Sequence, residues 1–319
     1  MGLIKRYLSL IKFSHTIFAM PFAMIGFFLA VYKLFSFRSY HQNPRWHTIV
    51  YSPESNIPFT KFEIFMRLLL VILCMVFARS AAMAFNRWLD AKFDALNPRT
   101  SIREIPAGII SRDNALRFVI FNCLAFLVCT WFINLICFIL APVALFVILF
   151  YSYTKRFTPL CHLVLGVGLS LAPIGAYLAV TGTFALLPVL ISLIVLFWVS
   201  GFDIIYALQD EEFDRSHHLH SFPAFLGKKK ALFISELLHI LSVVCVILAG
   251  LHGEFGLLYW IGTTFFSGML LYQHTIVHHD NLTRVNLAFM TANGIASIIF
   301  AVFVILDIIT SIHTFNLMQ

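Results

Sequence analysis

The sequence predicts an all-α integral membrane protein with nine transmembrane helices. Two observations carry this prediction. Apolar residues make up 60% of the 319 residues, whereas charged residues make up only 12%, far below the roughly 25% that is typical of soluble proteins. The apolar residues also fall into runs of about 20, the length at which a helix crosses the hydrocarbon core. We therefore expect a single transmembrane domain over residues 1–319 with the lipid bilayer around it.

The apolar runs can be placed in chain order. The first is too long for a signal peptide and lacks a convincing small-residue cleavage site. Two charge-free stretches, 118–154 and 157–202, are each long enough for two spans, and we expect turns near Asn134 and at Thr181, Gly182 and Thr183. The predicted spans cover about residues 14–32, 65–85, the two halves of 118–154, the two halves of 157–202, and 231–250, 255–272 and 285–307.

Basic residues predict the orientation of these spans. If the N-terminus is cytoplasmic, most of the 22 lysines and arginines fall in inside segments, as the positive-inside rule requires. This topology explains the net charge of +7, and neither a basic stripe nor a DNA-binding motif indicates a nucleic-acid partner. We expect a multi-pass protein of the inner (cytoplasmic) membrane. The polar segment 35–60 has no predicted function.

Two acidic segments stand at helix ends on the predicted cytoplasmic side. The first, NRWLDAKFD, places Asn86, Asp90 and Asp94 four residues apart, so that a continuous helix would present them on one face. The second, DIIYALQDEEFD, carries the three aspartates Asp203, Asp210 and Asp214, and on a continuous helix Asp210 and Asp214 would each lie within about 20° of Asp203.

Carboxylates at the edge of a hydrocarbon core repel one another and are costly to desolvate unless they are paired. Oxygen ligands prefer hard cations, and Mg²⁺ in particular is often shared between one or two carboxylates and substrate phosphates. The two acidic segments therefore suggest a magnesium diphosphate site. The competing interpretation is a pair of solvated helix ends with ordinary caps.

Basic residues near the acidic segments could contact a diphosphate directly. Arg99 and Arg103 follow the first segment, and Lys155 and Arg156 lie in another loop on the same predicted side. Guanidinium groups match phosphate oxygens in geometry. The alternative is that such residues only set topology, which is the interpretation we favour for Arg112 and for residues 228–230. The chain also shows a weak repeat at a shift of 120 residues, which divides it into halves of about 1–135 and 136–319.

Across nearly its whole length the sequence resembles the UbiA superfamily of intramembrane prenyltransferases. The resemblance rests on the two acidic segments together with the stretches YSYTKRFTPLCHLVLG and APIGAYLAV, in the order of the family. It implies nine helices around a central cavity and a prenyl diphosphate held by Mg²⁺. The residues it implies in catalysis are Asp90, Asp94, Asp203, Asp210 and Asp214, with Asp90, Asp94, Asp210 and Asp214 as the metal ligands. Those it implies in substrate binding are Asn86, Arg99, Arg103, Lys155, Tyr206 and Arg79, the last a charge inside the second span.

The resemblance also implies a reaction: Mg²⁺-dependent transfer of a polyprenyl group to an aromatic hydroxy acid, in ubiquinone or menaquinone biosynthesis. The opening segment IKFSHTIFAMPFA is more similar to the branch associated with menaquinone made by the futalosine route than to the hydroxybenzoate enzymes. Both 4-hydroxybenzoate and a hydroxynaphthoate therefore stay open as acceptors, as does a non-quinone acceptor.

Two other classes of membrane protein share some of these features. A transporter would also show paired motifs and a repeat, but it would more typically place its charges near the middle of the membrane. A CDP-alcohol phosphotransferase is membrane-bound and Mg²⁺-dependent as well, but its acidic signature with glycine and arginine is absent from the sequence.

Overall fold

The computed structural model describes residues 3–11, 18–41 and 60–317, and this part of the chain is helical. The start of the first predicted span, the opening segment around residues 12–17 and most of the polar segment 35–60 lie outside the described residues. The helices are α1 (Leu3–Leu10), α2 (Met20–His41), α3 (Lys61–Leu89), α4 (Ala91–Leu96), α5 (Arg112–Ile133), α6 (Leu135–Thr154), α7 (Cys161–Thr181), α8 (Leu186–Ala207), α9 (Glu211–Ser216), α10 (Phe222–Leu226), α11 (Lys228–His252), α12 (Leu257–Ile276) and α13 (Asn293–Leu317).

Seven helical segments in the described ranges are long and apolar enough to cross a membrane. They are Lys61–Leu89, Arg112–Ile133, Leu135–Thr154, Cys161–Thr181, Leu186–Ser216, Lys228–His252 and Leu287–Ser311. The two other predicted spans fall on α2, whose apolar part is Met20–Leu34, and on α12, which carries polar residues such as Gln273 and His274. The prediction of an all-helical, multi-pass membrane protein is confirmed.

Both turns predicted inside the charge-free stretches are confirmed. Asn134 separates α5 from α6, and its side-chain oxygen accepts a hydrogen bond from the Cys137 N–H at 2.9 Å, which caps α6. Gly182 ends α7 with φ at 63°, a left-handed conformation that glycine adopts without steric cost. The connections at these two caps are very short, so the helices that they join are antiparallel neighbours.

The helices pack side by side around an interior cavity. Helix α7 packs against α2, α6 and α8, and α8 also packs against α11, while α3 packs against α5 and α6. On the side of α11 to α13, large aromatic rings fill the core, among them Trp198, Phe266 and Phe300. Large apolar side chains such as Trp131 and Phe132 are exposed on the outer surface, as expected of a face in contact with lipid.

Neither acidic segment forms the continuous helix on which the predicted polar faces were based. Helix α3 ends at Leu89, and Asp90, with ψ at 4°, separates it from α4. Arg156 donates a hydrogen bond to the freed carbonyl of Leu89 at 3.2 Å, which stabilises the break. In the second segment a 3₁₀ turn, Leu208–Asp210, lies between α8 and α9. Because a 3₁₀ turn holds fewer residues than an α turn, it rotates Asp210 and Asp214 relative to Asp203.

Candidate active site

A cavity of about 460 Å³ lies between α2, α3 and α5 to α8. One end of it is polar and is formed by the two acidic segments with the loops beside them, whereas the rest is lined mainly by apolar side chains. The residues singled out from the sequence all line this cavity: Arg79, Asn86, Asp90, Asp94, Arg99, Arg103, Lys155, Asp203, Tyr206, Asp210 and Asp214.

The first acidic segment holds its carboxylates at the end of α3. The Asn86 amide donates to the Asp90 carboxylate at 3.2 Å, and Arg156 forms an ion pair with the other Asp90 oxygen at 2.9 Å. Asp94 is buried and pairs with Arg103 at 2.7 Å. Arg156, considered from the sequence only as a possible phosphate contact, thus pairs directly with Asp90.

The second acidic segment is held by residues from distant parts of the chain. Arg99 makes a bidentate ion pair with Asp210, with its Nε 3.1 Å from the carboxylate, and also donates to the Tyr206 hydroxyl at 2.8 Å. The guanidinium lies over the Tyr206 ring, 5.2 Å from its centroid. Asp214 is completely buried, pairs with Lys155 at 2.7 Å and accepts a hydrogen bond from Ser221 at 2.9 Å.

These contacts join the two segments. Lys155 and Arg156 are consecutive residues after α6, yet Lys155 pairs with the second segment and Arg156 with the first. Arg99 extends from the loop after the first segment to Asp210 of the second. The polar end of the cavity is therefore a set of four alternating ion pairs, and each carboxylate has its own base.

At the polar end of the cavity, burial and neighbouring charges shift pKa values in opposite directions. Burial raises the pKa of Asp90 above its usual range despite the nearby Arg156 and Lys155. For Lys155, burial opposes the charged form, but the carboxylates of Asp214, Asp210 and Asp90 outweigh it and raise its pKa. The pKa of Arg99 is likewise raised, because Asp210 and Tyr206 outweigh the effect of burial. The two bases therefore carry full charge at neutral pH.

Asp203 lies apart from the other aspartates and has a partner that sequence reasoning missed. Its carboxylate is 2.7 Å from Nδ1 of His162, which is buried at the start of α7. The Phe222 N–H donates to Nε2 of His162 at 3.4 Å, and since a backbone N–H can only donate, Nδ1 must carry the proton toward Asp203. A histidine in the first turn of an otherwise charge-free span was the signal that could have identified it.

Arg79 is a charged residue that lines the cavity far from its polar end. It lies eleven residues before Asp90 on α3, about 16 Å along the helix axis. Its Nε is buried without a hydrogen-bond partner among the described residues, and no carboxylate there forms an ion pair with it. By contrast, the buried Arg87, two turns closer to the polar end, pairs with Glu104 at 2.7 Å, a contact that the sequence did not predict.

The donor set at the polar end fits a hard cation. The candidate ligands are all carboxylates, and Oδ2 of the buried Asp94 has no hydrogen-bond partner in the described part of the chain. Within that part, no three Asp, Glu, His or Cys side chains come together as a metal cluster. Each carboxylate is instead neutralised by its own base. Since Mg²⁺ commonly takes only one or two carboxylates and completes its shell with phosphates and water, the residues still fit it.

Comparison with known proteins identifies the family of this chain. The model of the UbiA prenyltransferase family matches residues 48–301. The chain belongs to the UbiA prenyltransferase family. The resemblance noted in the sequence is thereby confirmed, and the protein is a membrane-embedded transferase.

Individual UbiA relatives agree with this assignment. A 4-hydroxybenzoate octaprenyltransferase of Tolumonas auensis is 30% identical over 235 residues, which cover 73% of this chain and 82% of the relative. One from Francisella tularensis subsp. tularensis is 28% identical, with 74% and 81% covered. An apo UbiA homolog from Aeropyrum pernix K1 superposes with a TM-score of 0.72 at 28% identity, covering 93% of this chain and 98% of that one.

A UbiA homolog from Archaeoglobus fulgidus, solved with DMAPP and Mg²⁺ bound, shares the fold of this chain. Its TM-score is 0.67 at 20% identity, with 95% of this chain and 99% of that one covered. At this identity the similarity is one of fold.

Proposed function

We propose that this UbiA-family protein is a Mg²⁺-dependent polyprenyltransferase that moves a polyprenyl group from its diphosphate to an aromatic hydroxy acid for quinone biosynthesis. The observation that carries the proposal is the arrangement of the cavity. Four aspartates and four bases alternate at its polar end, and a long apolar space lies behind them. That arrangement suits a molecule with a polyanionic head and a hydrocarbon tail.

The ion pairs at the polar end explain how the head group would be held. On binding, Asp90, Asp94, Asp210 and Asp214 would exchange their basic partners for metal, while the bases turn to phosphate oxygens. The exchange leaves every charge compensated, so none is stranded in a low-dielectric site. The bound Mg²⁺ would supply neutralisation of charge on the leaving diphosphate. The homolog solved with DMAPP and Mg²⁺ supports a prenyl diphosphate and Mg²⁺ as the ligands.

The reaction follows from the proposed donor site. With Arg99, Arg103 and Lys155 stabilising the departing diphosphate, the allylic carbon–oxygen bond breaks and the leaving group takes the electron pair. A ring carbon of the hydroxyarene forms the new bond to the allylic carbon and then loses its proton, which restores aromaticity. The chain contributes charge, orientation and exclusion of water, which would otherwise capture the cation.

We assign the acceptor carboxylate to Arg79. The guanidinium lines the cavity and has no carboxylate partner among the described residues, so an anionic ligand would relieve an unpaired charge. The names of the Tolumonas and Francisella relatives support 4-hydroxybenzoate as the acceptor. A hydroxynaphthoate presents the same carboxylate and hydroxyl groups, and the acceptor assay separates the two.

We further propose that nine helices cross the membrane, with α2 and α12 added to the seven segments described above. The chain would form one domain of two weakly repeated halves, in the inner membrane, with the N-terminus and the polar end of the cavity on the cytoplasmic side. The support is the excess of basic residues in the segments that this orientation places inside. Cysteine labelling from each side of sealed vesicles would test it.

The decisive assay supplies the purified protein with a radiolabelled polyprenyl diphosphate, Mg²⁺ and a panel of aromatic acids that includes 4-hydroxybenzoate and hydroxynaphthoates. We expect a prenylated product with one class of acid, dependent on Mg²⁺. A transporter would instead give solute flux in liposomes and no prenylated product. That pair of results would refute the enzymatic function.

A further inference from the structure

The cavity as a whole extends over most of the membrane thickness. Its lining runs from Cys137 on α6 to Lys155, the residue after that helix, and from Cys161 to Ala179 on α7. Each of these stretches covers 18 helical steps, or about 27 Å. The hydrocarbon core of a bilayer is about 30 Å thick. The space behind the polar end is therefore deep rather than a shallow pocket.

Gly175 of α7 lies in the far part of this cavity. A Cβ atom placed on Gly175 would meet no atom within 4 Å, so the missing side chain leaves open space. The nearby Gly166 differs, because its Cβ would lie 2.3 Å from the Ser200 hydroxyl and 2.5 Å from the Leu196 carbonyl. Close packing of α7 on α8 thus explains Gly166 but not Gly175. Glycine also destabilises a helix interior, so Gly175 has a cost that packing does not offset.

The cavity continues beyond Gly175, in the direction away from its polar end. Leu178 and Ala179 on α7, Ile133 on α5 and Cys137 on α6 line the space beyond it. Measured along α7 from His162, at the level of Asp203, Gly175 is 13 residues or about 20 Å deeper. An isoprene unit adds four carbon–carbon bonds of about 1.5 Å and so roughly 5 Å when extended. The position corresponds to about the fourth unit of a bound chain.

We propose that Gly175 determines specificity for donor length: it keeps the passage open through which isoprene units beyond about the fourth reach the end of the cavity. The inference rests on the proposed function, because it takes the polar end as the diphosphate site. It adds that the bulk of one side chain on α7 decides whether donors longer than about four isoprene units are accepted.

The test compares two glycine substitutions, Gly175→Leu and Gly268→Leu. Gly268 is a matched control because it is also a helical glycine whose Cβ would meet nothing within 4 Å, but it lies on the exposed face of α12 and does not line the cavity. Turnover is measured with geranyl, geranylgeranyl and octaprenyl diphosphates. Inhibition by inorganic diphosphate reports on the head-group site alone.

We expect Gly175→Leu to lower kcat/KM with the octaprenyl donor by at least about tenfold relative to the geranyl donor, the scale of discrimination by an apolar pocket. Inhibition by diphosphate should not change. Gly175→Ala should fall between the wild type and Gly175→Leu, and Gly268→Leu should match the wild type. Equal loss with short and long donors, no loss with the long donor, or weaker inhibition by diphosphate would each overturn the inference. If the wild type turns over no prenyl diphosphate of any length, the proposed function fails as well.

Discussion

The two acidic segments carry similar charges but depend on different parts of the chain. In the first, Asp94 pairs with Arg103, which is only nine residues away, and Asp90 pairs with Arg156. In the second, Asp203 and Asp214 pair with residues from α7 and the end of α6, and Asp210 pairs with Arg99 of the loop after the first segment. Each of these three aspartates thus depends on a base from a distant part of the chain.

One carboxylate of each segment, Asp90 in the first and Asp214 in the second, also differs in its access to water. The Asp90 side chain keeps 23% of its surface exposed, whereas that of Asp214 keeps none. A buried carboxylate without a partner is far more costly than a partly hydrated one. Asp214 therefore depends on its base more strongly than Asp90 does. Loss of that base should affect these two aspartates unequally.

The largest effect should come from removing one carboxylate from either segment. We expect Asp90→Asn and Asp210→Asn each to lower kcat by at least about 100-fold, because a preorganised charge in the site is lost. Removal of Mg²⁺ with a chelator should abolish turnover in the wild type. The measurement is prenylated product per enzyme, with insertion checked by extraction from membranes.

Asp113→Asn is a suitable control, because Asp113 lies in the first turn of α5, outside the cavity. It should retain wild-type turnover. If Asp90→Asn alone kept full activity, the first segment would not take part in the chemistry, and the two segments would have different functions.

The next effect separates the consecutive bases Lys155 and Arg156. Lys155→Met leaves the fully buried Asp214 charge with Ser221 but no ion pair, whereas Arg156→Met leaves the partly exposed Asp90 with Asn86. Breaking a buried pair costs about 3–5 kcal/mol, so we expect Lys155→Met to lower the melting temperature by roughly 5 °C or more, and Arg156→Met by clearly less.

A second substitution provides the control for that result. Asp214→Asn in the Lys155→Met background removes the stranded charge, so it should restore part of the melting temperature without restoring activity. Equal destabilisation by the two methionine variants would contradict the difference in burial on which the comparison rests.

The sequence predicts the helices well because hydrophobic runs and turn residues are local signals. The Asn134 and Gly182 turns and the apolar segments were all identified in this way. Local signals do not determine which base pairs with which carboxylate, since Arg99 and Asp210 are 111 residues apart. The breaks at Asp90 and Leu208 were missed for a related reason. The carbonyl of Leu89 is stabilised by Arg156 from a different helix end, and no pattern within the segment encodes that contact.

A smaller effect should distinguish α3 and α8, the two helices that lead to the polar end of the cavity. Deeper in the membrane, α8 carries Asp203, which pairs with His162. At α3 the corresponding charge is Arg79, and it forms no ion pair with a carboxylate among the described residues. If Arg79 binds the acceptor carboxylate, Arg79→Gln should raise KM for the aromatic acid by about 10- to 100-fold, the value of a charged hydrogen bond, and leave KM for the donor unchanged.

Steady-state kinetics with each substrate varied in turn gives both constants. Arg79→Lys should recover part of the acceptor affinity, since it keeps the charge but loses the bidentate geometry. A rise in KM for the prenyl diphosphate instead would assign Arg79 to the donor, and the two helices would then serve the same substrate.

The smallest effect concerns a pair of positions related by the 120-residue repeat, Asn86 and Tyr206. Asn86 donates directly to the Asp90 carboxylate, whereas the Tyr206 hydroxyl accepts from Arg99 and contacts Asp210 only through that base. Tyr206→Phe keeps the ring, which stacks on Phe289 at 4.2 Å between centroids, and removes one hydrogen bond. We expect KM for the donor to rise about two- to tenfold, as the loss of one hydrogen bond implies, with kcat nearly unchanged.

Asn86→Ala should instead lower kcat, because the orientation of Asp90 itself is lost. The same change in KM and kcat for both variants would show that the two segments hold the diphosphate in equivalent ways.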